Sequence, residues 1–249
     1  MYENKVVLGD CLPNLKNIED NTFDVTFTSP PYADSGNNND WENYEKRGDK
    51  SCCTHKKYIS VESYNGEDWL NWQINIIDEC LRVSKKMVIY NIGAILNNRV
   101  NVYKLIGHYA ENLKDDIIWY KPNGLPSSTK GALSNTYEHI LLIQKDMKQT
   151  IKVNSDFFRN VIVLPTNPNR KYAKIHKAIM NKELSDICIR EFTNEGDLVL
   201  DPFMGSGTTA LSCIDLHRNY YGYEICKEYY DLCQQRINER NMLNDPFDL

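Results

Sequence analysis

The amino-acid sequence predicts an α/β protein whose mainly parallel β-sheet is covered by helices on both faces. Short apolar runs alternate with helical patterns along the chain, as in folds where crossover helices join parallel strands. The length of 249 residues fits one sizeable α/β domain or two small ones, and 41% hydrophobic with 25% charged residues suits a globular core. No apolar run reaches membrane-spanning length and the N-terminus has no signal-peptide pattern, so a cytoplasmic protein is expected.

Strands are predicted at the short apolar runs, and helices where apolar residues recur at helical spacing. The predicted strands are Val6–Leu8, Phe23–Thr28, Met87–Tyr90, Ile117–Tyr120, Ile140–Ile143, Val161–Leu164, Leu198–Leu200 and Tyr220–Tyr223. The predicted helices are Asp68–Val83, Asn98–Leu113, Leu184–Phe192, Thr208–Leu216 and Lys227–Arg240. Two polar segments interrupt this alternation. Segment 33–66 is long for a passive connection and indicates a functional or mobile loop, whereas segment 145–175 has few helix or strand signals apart from Val161–Leu164.

The net charge of −5 is unevenly distributed along the chain. Residues 145–182 contain nine Lys and Arg residues against two acidic ones, a net charge of +7. Residues 183–249 contain five against thirteen, a net charge of −8. A basic segment on an acidic body is typical of a protein that contacts phosphates with one face, although a solvated basic surface has the same composition.

The sequence DVTFTSPPYAD, residues 24–34, ends a predicted strand in Ser29-Pro30-Pro31-Tyr32. Proline fixes φ and favours extended geometry in the residue before it, so Ser-Pro-Pro forms a stiff elbow. Taken alone, this tetrapeptide fits a rigid surface turn as well as the wall of a binding pocket.

A second motif, residues 196–224, reads GDLVLDPFMGSGTTALSCIDLHRNYYGYE. It predicts a buried strand ending in Asp201, a turn at residues 205–207, a helix from Thr208 and a further strand ending in Glu224. In doubly wound folds ligands bind at the carboxyl ends of strands, and an acid ending the second strand can accept from both hydroxyls of a ribose. This unit is therefore predicted to bind a cofactor that contains a nucleoside.

The second motif lacks two sequence features of proteins that bind dinucleotides or nucleotide phosphates, and this limits the candidate cofactors. A dinucleotide fingerprint has a third glycine where this chain has Ala210, and the GK[ST] of a phosphate-binding P-loop is absent. S-adenosylmethionine (AdoMet) has a ribose and no phosphate, and it is therefore a good candidate.

Together, TSPPY and DPFMGSGTT resemble the motifs of amino-group DNA methyltransferases of the β arrangement, in which the catalytic half precedes the cofactor half. Residues 6–15, 117–128, 136–145 and 174–184 resemble further family segments, so the resemblance spans nearly the whole chain. It implies a Rossmann-like AdoMet-dependent methyltransferase fold, with a seven-stranded, mainly parallel sheet and one reversed strand. It also implies a single methyltransferase domain over 1–249, with a catalytic half at 1–145, a DNA-contacting segment at 146–175 and an AdoMet-binding half at 176–249.

The resemblance assigns catalytic and AdoMet-binding roles to residues of the matching segments. Because the chain lacks the large separate recognition domain of the family, DNA recognition is assigned to segments 33–66 and 145–175. The candidate catalytic residues are Ser29, Pro30, Pro31 and Tyr32. The candidate AdoMet-binding residues are Asp10, Thr28, His176, Asp201, Phe203, Gly205, Ser206, Gly207, Thr208, Thr209 and Glu224. The candidate DNA-binding residues are Lys46, Arg47, Lys56, Lys57, Arg170 and Lys171. Three of these also have ordinary structural interpretations: Asp10 as a helix cap, His176 as a surface histidine and Phe203 as a core residue.

The chemistry of methyl transfer to a base amine suits these residue types. The amine is a poor nucleophile because its lone pair is delocalised into the ring, whereas the methyl donor is an activated sulfonium. The protein then has to position and polarise a base that has left the helix. Ser29 and the carbonyl of Pro30 can accept hydrogen bonds from the two N–H groups of the amine, and Tyr32 can stack on the base. No metal is required, and none is predicted, since the eight cysteines form no CxxC pair.

The predicted function is site-specific methylation of double-stranded DNA. N4 of cytosine is favoured over N6 of adenine because members with an acidic residue in place of Ser29 usually act on adenine. Methylation of RNA or protein amines, and a nucleic-acid-binding module without chemistry, are the alternatives; the intact motifs argue against the second. The expected partners are double-stranded DNA, a second copy of the chain and a cognate restriction endonuclease acting on the same site, with no membrane.

Overall fold

The residues that the structure describes include an eight-stranded β-sheet. The structure is a computed structural model, and it describes residues 2–31, 66–94, 98–124, 133–151, 153–166 and 179–243. The strands are β1 Lys5–Leu8, β2 Phe23–Thr28, β3 Ser84–Ile92, β4 Leu113–Tyr120, β5 Tyr137–Ile143, β6 Val161–Val163, β7 Leu198–Asp201 and β8 Asn219–Glu224. The helices within these ranges are α1 Cys11–Leu15, α2 Gly66–Val83, α3 Arg99–His108, α4 Lys182–Phe192, α5 Thr208–Asp215 and α6 Lys227–Leu243. The predicted fold class is confirmed, but the sheet has eight strands where the resemblance implied seven.

The strand order is β1-β8-β7-β2-β3-β5-β4-β6. β5 runs antiparallel to both of its neighbours, and all other neighbouring strands are parallel, so β5 is the reversed strand that the resemblance implied. From β2 the chain moves to β3 on one side, whereas from β7 it moves to β8 on the other. The boundary between β2 and β7 is therefore the topological switch point of the sheet.

Helices cover both faces of the sheet. On one face, α4, α5 and α6 bury side chains that include Ile189, Leu211 and Ile237. On the other face, α1, α2 and α3 bury side chains that include Leu15 and Ile76. Central strands are buried on both faces, which explains why they appear in the sequence as continuous apolar runs rather than as an alternation.

One predicted helix, Asn98–Leu113, is shorter than the periodicity indicated. α3 ends at His108, and Leu113 already belongs to β4. The reason lies in Tyr109, which is buried and whose hydroxyl oxygen lies 2.7 Å from Asp78 Oδ1 and 3.1 Å from the Ile74 carbonyl oxygen, both on α2. Its one proton is shared between these two acceptors. These tertiary contacts anchor the chain where it leaves the helix.

The predicted N-terminal and C-terminal halves contribute to the same sheet. β1 lies outside β8 and pairs with it in parallel, from Lys5↔Tyr221 to Leu8↔Glu224. The carboxyl ends of β1, β8 and β7 therefore lie at one edge of the sheet. Among the described helices, none combines the length and the apolarity needed to cross a membrane.

Candidate active site

The two sequence motifs meet at the carboxyl edge of the sheet, on either side of the switch point. β2 ends at Thr28 and β7 ends at Asp201, and these strands pair in parallel through Val25↔Val199. The Thr28 hydroxyl donates to Asp201 Oδ1 at 2.7 Å across the strand boundary. The proline elbow and the glycine-rich loop therefore begin side by side, where open α/β sheets bind ligands.

Asp201 is the centre of a buried cluster of hydrogen bonds and is 3% exposed. Besides Thr28, it accepts from the backbone N–H of Phe203 at 2.9 Å and from the Thr209 hydroxyl at 2.5 Å. Burial raises the pKa of Asp201, and these three bonds oppose the rise because they favour the charged carboxylate. Thr208, which begins α5, is buried too. The Asp201 carboxylate thus ties β2, the glycine-rich loop and α5 together.

The glycine-rich loop requires glycine for its backbone and its packing. Gly205 and Gly207 have φ values of 54° and 84°, in the left-handed region that side chains disfavour. A Cβ atom at Gly207 would lie 2.6 Å from Cys233 Sγ on α6. The carbonyl and hydroxyl of buried Ser206 accept from Arg236 Nη1 at 2.5 and 2.8 Å. The loop is therefore fixed against α6, and the Ser206 hydroxyl contributes to that contact.

Glu224 ends β8 next to the glycine-rich loop and is 1% exposed. Its Oε2 accepts from the Gly205 N–H at 2.8 Å, and its Oε1 accepts from the Cys226 N–H at 2.7 Å. A carboxylate accepts from about four directions, and it is a type of group that binds the vicinal diol of a ribose. The acceptor set fits the ribose of a nucleoside cofactor, and the same bonds fix the shape of the loop.

Phe203 and Asp10 lie on the two sides of this position. Phe203 is half-buried, and its ring centroid lies 5.5 Å from that of Trp72 on α2. Asp10 is exposed and follows β1, and its carboxylate accepts from the Leu12 N–H at 3.0 Å. The interpretation of Asp10 as the cap of α1 is therefore confirmed. Its exposure leaves the carboxylate accessible to a ligand as well.

The proline elbow is held from two neighbouring elements. Ser29 is half-buried and Pro30 is buried directly after β2. Asn91 on β3 donates from Nδ2 to Ser29 Oγ at 3.2 Å. Gln73 on α2 donates from Nε2 to the carbonyl of Pro31 at 3.4 Å. The orientation of the elbow is thus set by side chains that are distant in sequence.

A row of polar side chains that the sequence analysis missed continues from Ser29 across the sheet. Asn91 Nδ2 also donates to Glu138 Oε2 at 2.9 Å, and Lys121 Nζ donates to Glu138 Oε1 at 2.8 Å. The sequence contains a signal for this row, because each member lies two positions from a buried apolar residue. The pairs are Asn91 with Ile89, Glu138 with Ile140, and Lys121 with Trp119. Polar residues that continue an apolar inward-facing pattern at the carboxyl edge are candidates for a site.

Several predicted site residues lie outside the described ranges and stay predictions. These are Tyr32, His176, Lys46, Arg47, Lys56, Lys57, Arg170 and Lys171. Among the described residues, no group of three or more His, Cys, Asp or Glu side chains is arranged to hold a metal ion.

Comparison with known proteins identifies the family. A family model described as DNA methylase, N6_N4_Mtase, matches residues 23–235. The chain belongs to this DNA methylase family. The type II methyltransferase M.BglII of Bacillus subtilis is 26% identical over 98% of this chain and 71% of its own length. This membership confirms the predicted enzyme class, an AdoMet-dependent DNA methyltransferase of the N4 or N6 type.

Two solved structures agree with the fold of this DNA methylase. The PvuII DNA methyltransferase, named as cytosine-N4-specific, has a TM-score of 0.73 at 17% identity and covers 98% of this chain and 94% of its own. The M1.HpyAVI–SAM complex has a TM-score of 0.60 at 23% identity and covers 94% of this chain and 98% of its own. The sheet and its helices are thus shared with methyltransferases of low sequence identity.

Proposed function

We propose that the chain transfers the methyl group of AdoMet to N4 of a cytosine that has been flipped out of double-stranded DNA. The observation that carries this proposal is the Thr28–Asp201 hydrogen bond, which joins the proline elbow to the glycine-rich loop. A base held at the elbow and a methyl donor held at the loop face each other across one strand boundary. Methyl transfer between them needs orientation more than it needs further chemistry.

The described residues fit AdoMet at the glycine-rich loop. Glu224 would accept from the ribose hydroxyls, and Phe203 offers a ring for the adenine. Asp10 would contact the cofactor from the end of β1. When bound, AdoMet supplies an activated methyl group on a sulfonium. We assign Asp201 to holding the loop, because its carboxylate already accepts from three protein donors.

The elbow supplies groups of suitable polarity for the target base. The Ser29 hydroxyl can accept from the amine and donate to a ring nitrogen, and the Pro30 carbonyl can accept the second amine proton. An ionised carboxylate in place of Ser29 could only accept. The neutral hydroxyl and the cytosine-N4-specific designation of the PvuII enzyme both support cytosine N4 over adenine N6. Tyr32 is proposed to stack on the flipped base.

Membership of the DNA methylase family and the type II names of the relatives support DNA as the partner. We propose that the chain acts in the cytoplasm on duplex DNA, as the modifying partner of a cognate restriction endonuclease, and as a homodimer. Lys46, Arg47, Lys56, Lys57, Arg170 and Lys171 are proposed to contact phosphates.

Replacing Arg170 and Lys171 together should weaken DNA binding and reduce the log–log salt slope by about 0.9 for each phosphate that the protein no longer neutralises. An unchanged salt slope would show that residues other than Arg170 and Lys171 contact the phosphates.

Product analysis tests the proposed chemistry directly. Duplex DNA incubated with the protein and labelled AdoMet is digested to nucleosides, and the products are identified by mass spectrometry. We expect N4-methyldeoxycytidine, lost in Ser29→Ala and retained in Thr22→Val. Thr22 is a matched control because its hydroxyl binds the Glu19 carbonyl near the opposite end of β2. N6-methyldeoxyadenosine as the sole product would show that the target base is wrong, and label in RNA alone would show that the substrate is wrong.

A further inference from the structure

Four polar side chains on four neighbouring strands form a continuous row beside the elbow. Ser29 follows β2, Asn91 lies on β3, Glu138 lies on β5 and Lys121 follows β4. Asn91 is 2% exposed, and its single amide nitrogen serves both neighbours, with one N–H toward Ser29 Oγ and the other toward Glu138 Oε2. Lys121 donates to the second oxygen of Glu138 and lies 5.3 Å from the ring centroid of Trp119.

The orientation of the Asn91 amide leaves its oxygen without a donor. Asn91 Oδ1 is buried and accepts no hydrogen bond from the described part of the chain. Turning the amide over would direct Oδ1 toward Ser29, whose hydroxyl could then donate to it. The turned amide would also place Oδ1 against the Glu138 carboxylate, which can only accept hydrogen bonds and would repel it. Glu138 therefore determines which atom of Asn91 faces Ser29.

Whether the Ser29 hydroxyl can donate to a ligand depends on which atom of the Asn91 amide faces it. While Asn91 donates to Ser29 Oγ, the hydroxyl proton of Ser29 is available to a ligand, and so is a second lone pair. In cytosine, the ring nitrogen N3 lies beside the N4 amine and is an acceptor. A hydroxyl that accepts from the amine and donates to N3 satisfies both atoms. With Asn91 turned, the Ser29 proton would be used inside the protein and N3 would lose its donor.

We propose that Glu138 is a positioning residue that acts through Asn91 and keeps the Ser29 hydroxyl proton available to the target base. The proposal rests on the proposed function, in which Ser29 contacts that base. Lys121 contributes by holding the Glu138 carboxylate from the side opposite Asn91. No proton transfer through the row is involved, because an amide nitrogen is a donor and not a base.

The isosteric substitution Glu138→Gln separates this role from packing. Lys121 would select the carbonyl oxygen of the new side chain, so that its amide group faces Asn91 and favours the turned orientation. We expect the single-turnover methylation rate at saturating DNA and AdoMet to fall by about tenfold to a hundredfold, since small misplacements of reacting groups have effects of this size. The AdoMet dissociation constant, measured by calorimetry, should stay within about threefold of the unsubstituted protein because Glu224 and the loop are untouched.

Asp116→Asn is the matched control for Glu138→Gln. Asp116 is a carboxylate on β4 that pairs with His139 of β5 at 2.8 Å, so it joins the same two strands without contacting the row. Its neutralisation should leave the methylation rate unchanged. An equal loss of rate in both variants would indicate a general effect on the strand pair and would overturn the proposal.

A double-substitution cycle with Asn91→Leu tests the route of the effect. Asn91→Leu removes the N–H that orients the Ser29 hydroxyl without removing a charge. We expect it to lower the rate, but by less than Glu138→Gln, because no side chain then takes up the Ser29 proton. If Glu138 acts through Asn91, adding Glu138→Gln to Asn91→Leu should cause no further loss. Losses that multiply would overturn the proposal. If thermal unfolding shows that Glu138→Gln is unfolded, an unchanged rate in folded Asn91→Leu would overturn it equally.

Failure of the proposed function gives a different result. If the unsubstituted protein does not methylate DNA, or if Ser29→Ala is as active as the unsubstituted protein, the proposed function is wrong. If the unsubstituted protein methylates DNA and depends on Ser29, while Glu138→Gln and Asn91→Leu keep its rate, only the positioning role of Glu138 is wrong.

Discussion

Asp201 offers the sharpest test of how the site is built, because one buried carboxylate joins three elements. In Asp201→Ala, the Thr28 hydroxyl, the Thr209 hydroxyl and the Phe203 N–H lose their acceptor. Hydrogen bonds to a charged group contribute about 1.5–3 kcal/mol each. Part of this sum is offset because the carboxylate is costly to bury, as its raised pKa indicates. We expect Asp201→Ala to lower the free energy of unfolding by about 3–5 kcal/mol.

Asp201→Asn is the matched variant, because it keeps the shape and one acceptor oxygen. That oxygen can still accept from Thr28 and Phe203, and the Thr209 hydroxyl can turn to accept from the new amide. We expect a loss of about 1 kcal/mol or less in the free energy of unfolding. Urea unfolding at neutral pH measures both variants, and Asp201→Ala within about 1 kcal/mol of the unsubstituted protein would refute the reasoning.

AdoMet binding by Asp201→Asn distinguishes two roles for Asp201, which are holding the glycine-rich loop and contacting the cofactor directly. If the carboxylate holds the loop, folded Asp201→Asn should bind AdoMet within about threefold of the unsubstituted protein, because no group that binds the ligand has been removed. A folded Asp201→Asn with more than about a hundredfold weaker binding, a loss near 2.7 kcal/mol, would show that the charge itself contacts the cofactor.

Three further outcomes are expected. Glu224→Ala should weaken AdoMet binding by about 1–3 kcal/mol in calorimetry, and unchanged affinity in a folded variant would remove Glu224 from the ribose site. Gly207→Ala should lower the free energy of unfolding by about 1–3 kcal/mol, because φ at this position is 84° and the new Cβ would lie 2.6 Å from Cys233 Sγ. If adding Cys233→Ala does not reduce this loss, the packing argument is contradicted. Burial alone raises the pKa of Asp215, but hydrogen bonds from a lysine and an arginine outweigh burial and lower it. This stabilisation is complete above the ordinary pKa of 3.8 and is lost as the pH falls through the lowered value. Asp215→Asn should therefore cost about 1 kcal/mol at pH 7 and progressively less as the pH falls below 3.8. A cost independent of pH would contradict the ion-pair explanation.

The strands and the glycine motif could be predicted because their signals are local. Each apolar run that was predicted as a strand is one, and the central parallel strands β2 and β3, which are largely buried on both faces, are apolar along most of their length. Gly205 and Gly207 were recognisable because a left-handed backbone strongly favours glycine, which has no Cβ atom to clash. The end of α3 could not be predicted, because it depends on the contacts of Tyr109 with α2, and these arise only when the helices pack.

The sequence by itself determined the fold class, the order of the two motifs and the residues of the elbow and the loop, because short-range patterns of polarity and of glycine and proline carry that information. Only the tertiary structure decided that β5 lies between β3 and β4 with its start at the carboxyl edge. That insertion brings Glu138 to Asn91, and Asn91 lies 62 positions from Ser29. Hydrogen bonds between side chains of different strands depend on strand order and register, which a local pattern does not specify.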